Sequence, residues 1–215
     1  MYVPDLFALT DRDEIRAVMR DYAFALLVTA VDGAPPQATH LPFVYAADQG
    51  PNGTLIAHMA RANPHWRDLE RLRASGGEAL VIFQGPHAYV SPRWYGAGNA
   101  VPTWNYLAVH AYGTPRLFED AARVRGLLSH LTETYESGAD EPWRLAAQDD
   151  SYVRTMMRGI VAFEIPISRL EAKAKLSQNK TPEDRRGVIV ALAAGADPLG
   201  RDVAERMRRR DPAVD

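Results

Sequence analysis

Apolar and polar positions recur with two different periods along this chain, and the points where the period changes divide it into elements. After Thr10-Asp11-Arg12-Asp13, a helix start of the Ser/Thr-x-x-acid type, Ile15, Val18, Met19 and Tyr22 recur at helical spacing and predict one amphipathic helix. From Phe24 the period shortens: FALLVTAV and QATHLPFVY read as strands joined by a hairpin turn at Asp32-Gly33. A third strand, TLIAHMA from Thr54, follows the turn Pro51-Asn52-Gly53. Asn63-Pro64 then supplies an N-cap and a first-turn proline for a short helix containing Trp66 and Leu69. EALVIFQ, after Gly76-Gly77, is the fourth strand, and the segment from Phe83 to His110 is expected to hold two more. Helical composition from Glu119 to Ser137, a second helical piece around Trp143 to Arg158, a strand at GIVAFEIPI and capped helices beginning at Thr181 and Asp197 complete the chain.

Short strands with one brief helix among them argue for an antiparallel barrel rather than alternating βα units. The expected fold class is therefore mainly β with peripheral helices (α+β). One domain over residues 1–215 is expected, with a helical C-terminal extension from about 181.

Composition narrows the chemistry. The chain has no cysteine, which excludes disulfides, thiolate metal sites and thiol catalysis. No apolar run is long enough to cross a bilayer, and YVPDLF after Met1 has neither a basic n-region nor an apolar h-region, so the protein is expected to stay in the cytoplasm. With a net charge of −2, nucleic-acid binding would need a local basic patch. The one candidate is Arg201 to Arg210 on the last helix, and Asp202, Glu205 and Asp211 dilute it, so a solvated terminal helix is the simpler account. The six histidines lack His-x-His or His-Glu-x-x-His spacing; only His40 and His58, on neighbouring strands, could meet, and no metal is expected. A Gly-x-Ser-x-Gly elbow, a Walker loop and a Rossmann glycine set are all missing from the sequence.

Three segments carry candidate chemistry. In FQGPHAYVSPRWYGAGNAVPTWNYLAVH (83–110), Gly85-Pro86, Ser91-Pro92 and Pro102 interrupt strand alternation, and Tyr89, Trp94, Tyr95, Trp104 and Tyr106 supply flat surfaces. These either close a core or subunit interface or wall a cofactor pocket. AHMARANPHWR delivers Arg61 and Asn63 to a helix start, where a guanidinium fork, an amide and unpaired backbone N–H groups make a phosphate-sized site; the alternative is that Asn63 only caps the helix. In KAKLSQNK (173–180), an extended chain would put Lys173, Lys175 and Ser177 on one face, suited to an anion; the alternative is a solvated linker.

The blocks ATHLPF (38–43), ARANPHW (60–66), FQGPHAYVSPRWY (83–95), VPTWNY (101–106) and KLSQNK (175–180) together resemble the PaiB family, FMN-binding proteins described as negative transcriptional regulators. The family is similar in fold to the pyridoxamine-phosphate-oxidase-like split barrels. This chain departs from it at Ala57, where glycine is the family residue before His58, and at Arg93, where a small residue is usual. The resemblance implies a six-stranded antiparallel split β-barrel with FMN in a groove between the two subunits of a homodimer. It places the phosphate at Arg61 and Asn63, and the ring along Thr39, His40 and Leu41 with Trp104 closing over it. His58, Lys175, Ser177 and Gln178 complete the implied set of cofactor contacts. The function it implies is regulation with FMN as signal or structural element, with DNA as the partner that such a role suggests. The alternative is an FMN-dependent oxidoreductase acting on a small molecule, with His40, His58 or Tyr89 orienting the substrate. Haem binding, known among more distant split barrels, is a third option.

Overall fold

Nine strands and six α-helices make up the computed structural model, which describes residues 1–96 and 100–210; Ala97, Gly98 and Asn99 of the aromatic stretch lie outside the described residues. In chain order these are α1 (Arg12–Asp21), β1 (Phe24–Thr29), β2 (Gln37–Pro42), β3 (Val44–Ala46), β4 (Thr54–Ala60), α2 (Trp66–Ser75), β5 (Ala79–Val90), β6 (Thr103–Gly113) and β7 (Arg116–Phe118). There follow α3 (Ala121–Glu136), α4 (Asp150–Arg158), β8 (Ile160–Pro166), β9 (Arg169–Lys175), α5 (Pro182–Ala194) and α6 (Pro198–Arg210).

The strands form two sheets, of order β2-β1-β5-β6-β9 and β3-β4-β8-β7. Three breaks explain how nine segments match the six strands that the family resemblance implies. Pro42-Phe43, Thr114-Pro115 and Ile167-Ser168 each interrupt a run that leaves one sheet and continues in the other: β2 into β3, β6 into β7, and β8 into β9. Nine segments less three such joins leave six runs, each shared run turning a corner between sheets as split-barrel strands do. Phe43 and Ile167, both buried, anchor two of the corners.

Local structure departs from the sequence-based expectations in four places. First, β5 passes straight through Gly85-Pro86, so the start of the aromatic stretch belongs to the fourth strand. A Cβ on Gly85 would lie 2.9 Å from the Leu107 Cβ, so the bare glycine is what lets β6 approach. Second, α1 is capped by Asp11 rather than Thr10: its Oδ1 accepts from the amides of Asp13 at 2.8 Å and Glu14 at 3.1 Å. Third, α2 begins at Trp66; Asn63 caps a preceding turn, its Oδ1 accepting from the His65 amide at 3.1 Å. Fourth, β9 ends at Lys175 and the chain turns at Ser177, a non-glycine residue at φ +63°, so the common face ends at Lys173 and Lys175.

The chain divides into two compact units: Met1–Val18, Phe83–His110 and Glu171–Asp215 form the first, and Met19–Ile82 with Ala111–Leu170 the second. In the second unit, Leu27, Leu55, Leu69, Val81, Phe163 and Ile165 are fully buried. On the other face of β4 and β8, Val124, Leu127 and Leu131 of α3 cluster with Ala162, Ile56 and Phe118. In the first unit, α5 and α6 bury Val188, Ile189, Val203 and Met207. Thr181 caps α5, and Gly187 lets that helix approach the turn at Pro92–Trp94.

Candidate functional site

Two strand ends and the start of α2 bring Thr29, Thr39, Asn63, His65 and Asp68 together. Thr29 closes β1 and Thr39 lies on β2, paired with Leu27 across the antiparallel ladder. The turn that begins with Asn63 inserts His65 between them. His65 is 1% exposed, and both its ring nitrogens have partners: Nε2 lies 2.8 Å from Thr29 Oγ1, and Nδ1 lies 2.7 Å from Thr39 Oγ1. Thr29 donates to Asp68 Oδ2 at 3.4 Å, and Arg71 donates to the other oxygen of that buried carboxylate at 3.1 Å. At the far end Asn63 Nδ2 donates to Thr39 Oγ1 at 3.4 Å. Burial lowers the pKa of His65, opposed by the nearby Asp68 charge. Of this chain, only Thr39 and Asn63 are among the expected site residues. His65 sits inside the ARANPHW block, but Thr29 and Asp68 carry no sequence signal, because an ordinary strand threonine and helix aspartate acquire roles only from the packing.

Arg61 faces a different way. Its guanidinium donates to the carbonyls of Arg158 and Ile160, both at 3.1 Å, and lies 3.7 Å from Glu119. It lines a cavity of about 350 Å³ with Arg154 and Arg158 of α4 and Glu119 on the rim, and Phe118, Val124 and Met157 among the apolar walls. The cationic groups outnumber the acid, so the cavity suits an anionic group joined to an apolar body. Arg154 and Arg158 come from a stretch whose sequence shows only helical character, and nothing in it points to a site. The second unit also holds the remaining expected residues from its strands. Leu41 is buried, His40 is exposed and stacks on exposed Phe24 at 5.9 Å, and His58 is half-buried on β4. His58 Nδ1 is buried without a hydrogen-bond partner among the described residues, and burial lowers the pKa of that ring.

Trp104, Lys175, Ser177 and Gln178 belong to the first unit. Lys175 donates to Thr103 Oγ1 at 2.7 Å and to the Trp104 carbonyl at 2.6 Å; burial, then the charges of Lys173 and Lys180, lower its pKa. Ser177 is buried and bonded to Asn105, whose Nδ2 donates to its Oγ at 2.9 Å. Gln178 turns back on its own backbone, donating to the Ala174 carbonyl and accepting from the Leu176 amide. Trp104 is 53% exposed and meets Tyr89 edge-on at 6.0 Å and His87 at 6.4 Å, giving an aromatic surface on β5 and β6.

Residues 1–169 match the family model described as "Putative FMN-binding domain". The chain is 36% identical over 207 residues to protease synthase and sporulation protein PAI 2 of Bacillus subtilis, covering 96% of each. The chain belongs to the PaiB family. FMN is the cofactor that this family's domain denotes. An uncharacterized protein of Emericella nidulans is 32% identical over 249 residues, covering all of this chain and 99% of that protein. Among solved structures, the FAD and haem binding protein of Mycobacterium smegmatis matches with a TM-score of 0.60 at 23% identity, over 87% of this chain and 80% of that one. The flavocytochrome Anf3 of Azotobacter vinelandii matches with a TM-score of 0.56 at 15% identity, over 78% of this chain and 69% of that one. Identities this low establish a shared fold, which for the PaiB chain is the α+β split-barrel class expected from sequence. Within the second unit the side-chain chemistry suits parts of FMN: arginines for a phosphate, and hydroxyl and amide groups for a pyrimidine edge.

Proposed function

We propose that this PaiB-family chain is an FMN-binding homodimer that acts as a regulator, with the flavin as its signal or structural element. The observation that carries this reading is the cavity in which Arg61, Arg154 and Arg158 face a single rim glutamate, a charge balance that favours a phosphate. In this reading Arg61 serves the phosphate end, and Asn63, which lies against Thr39 rather than in the Arg61 cavity, serves the ring with Thr39, His40 and Leu41. Trp104, Lys175, Ser177, Gln178 and His58 complete the contacts, and exposed Trp104 and Tyr89 favour a second subunit as cover. When bound, FMN supplies two-electron redox chemistry; the chain's own groups bind and orient it. The ring nitrogens of His65 are both engaged by threonine hydroxyls, which supports a binding role over proton transfer. The Bacillus subtilis relative is named for protease synthesis and sporulation, cellular programmes rather than a substrate.

The arginines of α6 do not favour direct contact with DNA. Arg208 and Arg209 pair with Glu205, Arg210 pairs with Glu14 at 2.6 Å, and Arg201 donates to the carbonyls of Gly195 and Ala196. A regulator of this kind acts through a protein partner or through the state of its flavin. The test is an absorbance spectrum of the purified protein, then titration of the apo form with FMN and addition of NADPH. Flavin bands that persist support the regulator. Bands that bleach turn the reading to an oxidoreductase acting on a small molecule, and the absence of any binding rejects the flavin reading.

A further inference from the structure

The hydrogen-bonded chain around His65 has a direction, and both of its ends fix it. At one end the Asp68 carboxylate, held by Arg71, can only accept, so Thr29 spends its single hydroxyl proton there. The Thr29 oxygen must then accept from His65, which places the imidazole proton on Nε2. A neutral imidazole has one N–H, so Nδ1 is left as an acceptor and takes the Thr39 hydroxyl proton at 2.7 Å. The burial that lowers the His65 pKa keeps the ring neutral at neutral pH. At the other end Asn63 Oδ1 accepts from the His65 amide, which fixes the amide orientation and leaves Nδ2 to donate to Thr39. Thr39, a part-exposed residue, has therefore spent its donor and one lone pair, and its oxygen retains one acceptor position.

We infer that His65 is a positioning residue: held as the Nε2–H tautomer by Asp68 through Thr29, it makes Thr39 Oγ1 a fixed acceptor that selects a ligand N–H. This rests on the flavin reading for the identity of the ligand. In oxidised FMN the one ring N–H is at N3 of the pyrimidine edge, so that is the group Thr39 selects. A hydroxyl free to rotate would take a donor or an acceptor equally. One held by a buried relay discriminates, because a ligand offering a lone pair there meets another lone pair.

Two measurements on the full chain test it. Nitrogen-15 NMR of the histidines in the apo protein reads the tautomer without any ligand: His65 should carry its proton on Nε2, and Asp68→Asn, whose amide can donate back to Thr29, should release that preference. A proton on Nδ1 in the native chain overturns the inference, whatever binds. FMN and its N3-methyl analogue are then compared as ligands. The native protein should favour FMN by about tenfold or more, roughly the worth of one buried hydrogen bond, and Thr39→Val should erase the preference while Thr39→Ser keeps it. Equal affinity of the native protein for the two flavins, or a preference that survives Thr39→Val, overturns the selection of N3–H. If neither flavin binds, the flavin reading and the selection of N3–H fall together, while the NMR result still decides the His65 relay.

Discussion

Replacing Arg61 by alanine should separate its structural role from the phosphate-binding role proposed for it. Its side chain is 47% exposed, and the guanidinium makes two hydrogen bonds to backbone carbonyls at the junction of α4 and β8. Half-exposed bonds of this kind contribute about 0.5–1 kcal/mol each, so Arg61→Ala should destabilise the fold by about 1–2 kcal/mol, or roughly 3–6 °C in Tm for a chain of this size. If the same group also meets the FMN phosphate, losing a charge-assisted bond weakens affinity by about 1.5–3 kcal/mol, roughly 10- to 150-fold in Kd. Arg154→Ala is the matching control, because Arg154 donates no hydrogen bond among the described residues while lining the same cavity. It should leave Tm unchanged and weaken FMN by about two- to fivefold, the effect of one exposed charge. Fluorescence titration and thermal unfolding of both variants decide the matter. An Arg61→Ala protein that melts earlier but binds FMN as the native protein does would refute the assignment of this cavity to the phosphate and leave Arg61 as a structural clamp.

Two further outcomes follow from local geometry. Gly187→Ala places a Cβ 2.0 Å from the Trp94 carbonyl oxygen, so α5 must shift; the cost should be about 1–3 kcal/mol, read as a lower urea midpoint. His58, His65 and His110 all have pKa values lowered by burial, so the folded state disfavours their charged forms. Their contribution to stability is full above the unfolded value of about 6.5 and is lost as pH falls through the depressed folded values, so the urea midpoint should drop between pH 7.5 and pH 5.

The sequence made the strand and helix inventory legible because period, caps and turn residues agree locally. TLIAHMA is β4 residue for residue, and the capped starts at Thr181-Pro182 and Asp197-Pro198 open α5 and α6 as expected. What it concealed depends on distant packing. Gly85-Pro86 looks like a strand break until Leu107 is seen against it, and KAKLSQNK looks uniformly extended until Ser177 adopts a left-handed backbone. Among the candidate residues, Arg61 and Asn63 were legible as chemistry, and Thr39 only through the family resemblance. The relay through Thr29 and Asp68, and the contribution of α4 to the Arg61 cavity, were not, since each joins residues from elements far apart in the chain.

The second sheet has a consequence for how the chain is made. All seven residues of β4 pair with β8, and β7 also pairs with β8, so this sheet has no centre until residues 160–166 are available. During vectorial synthesis β4 emerges about a hundred residues before its partner, and the edge of β4 that pairs with β8 must wait with its backbone groups unpaired. Holding that strand apart from other chains during the wait is a task for a chaperone, and a stall or truncation before β8 would turn a productive nascent chain into an aggregation seed.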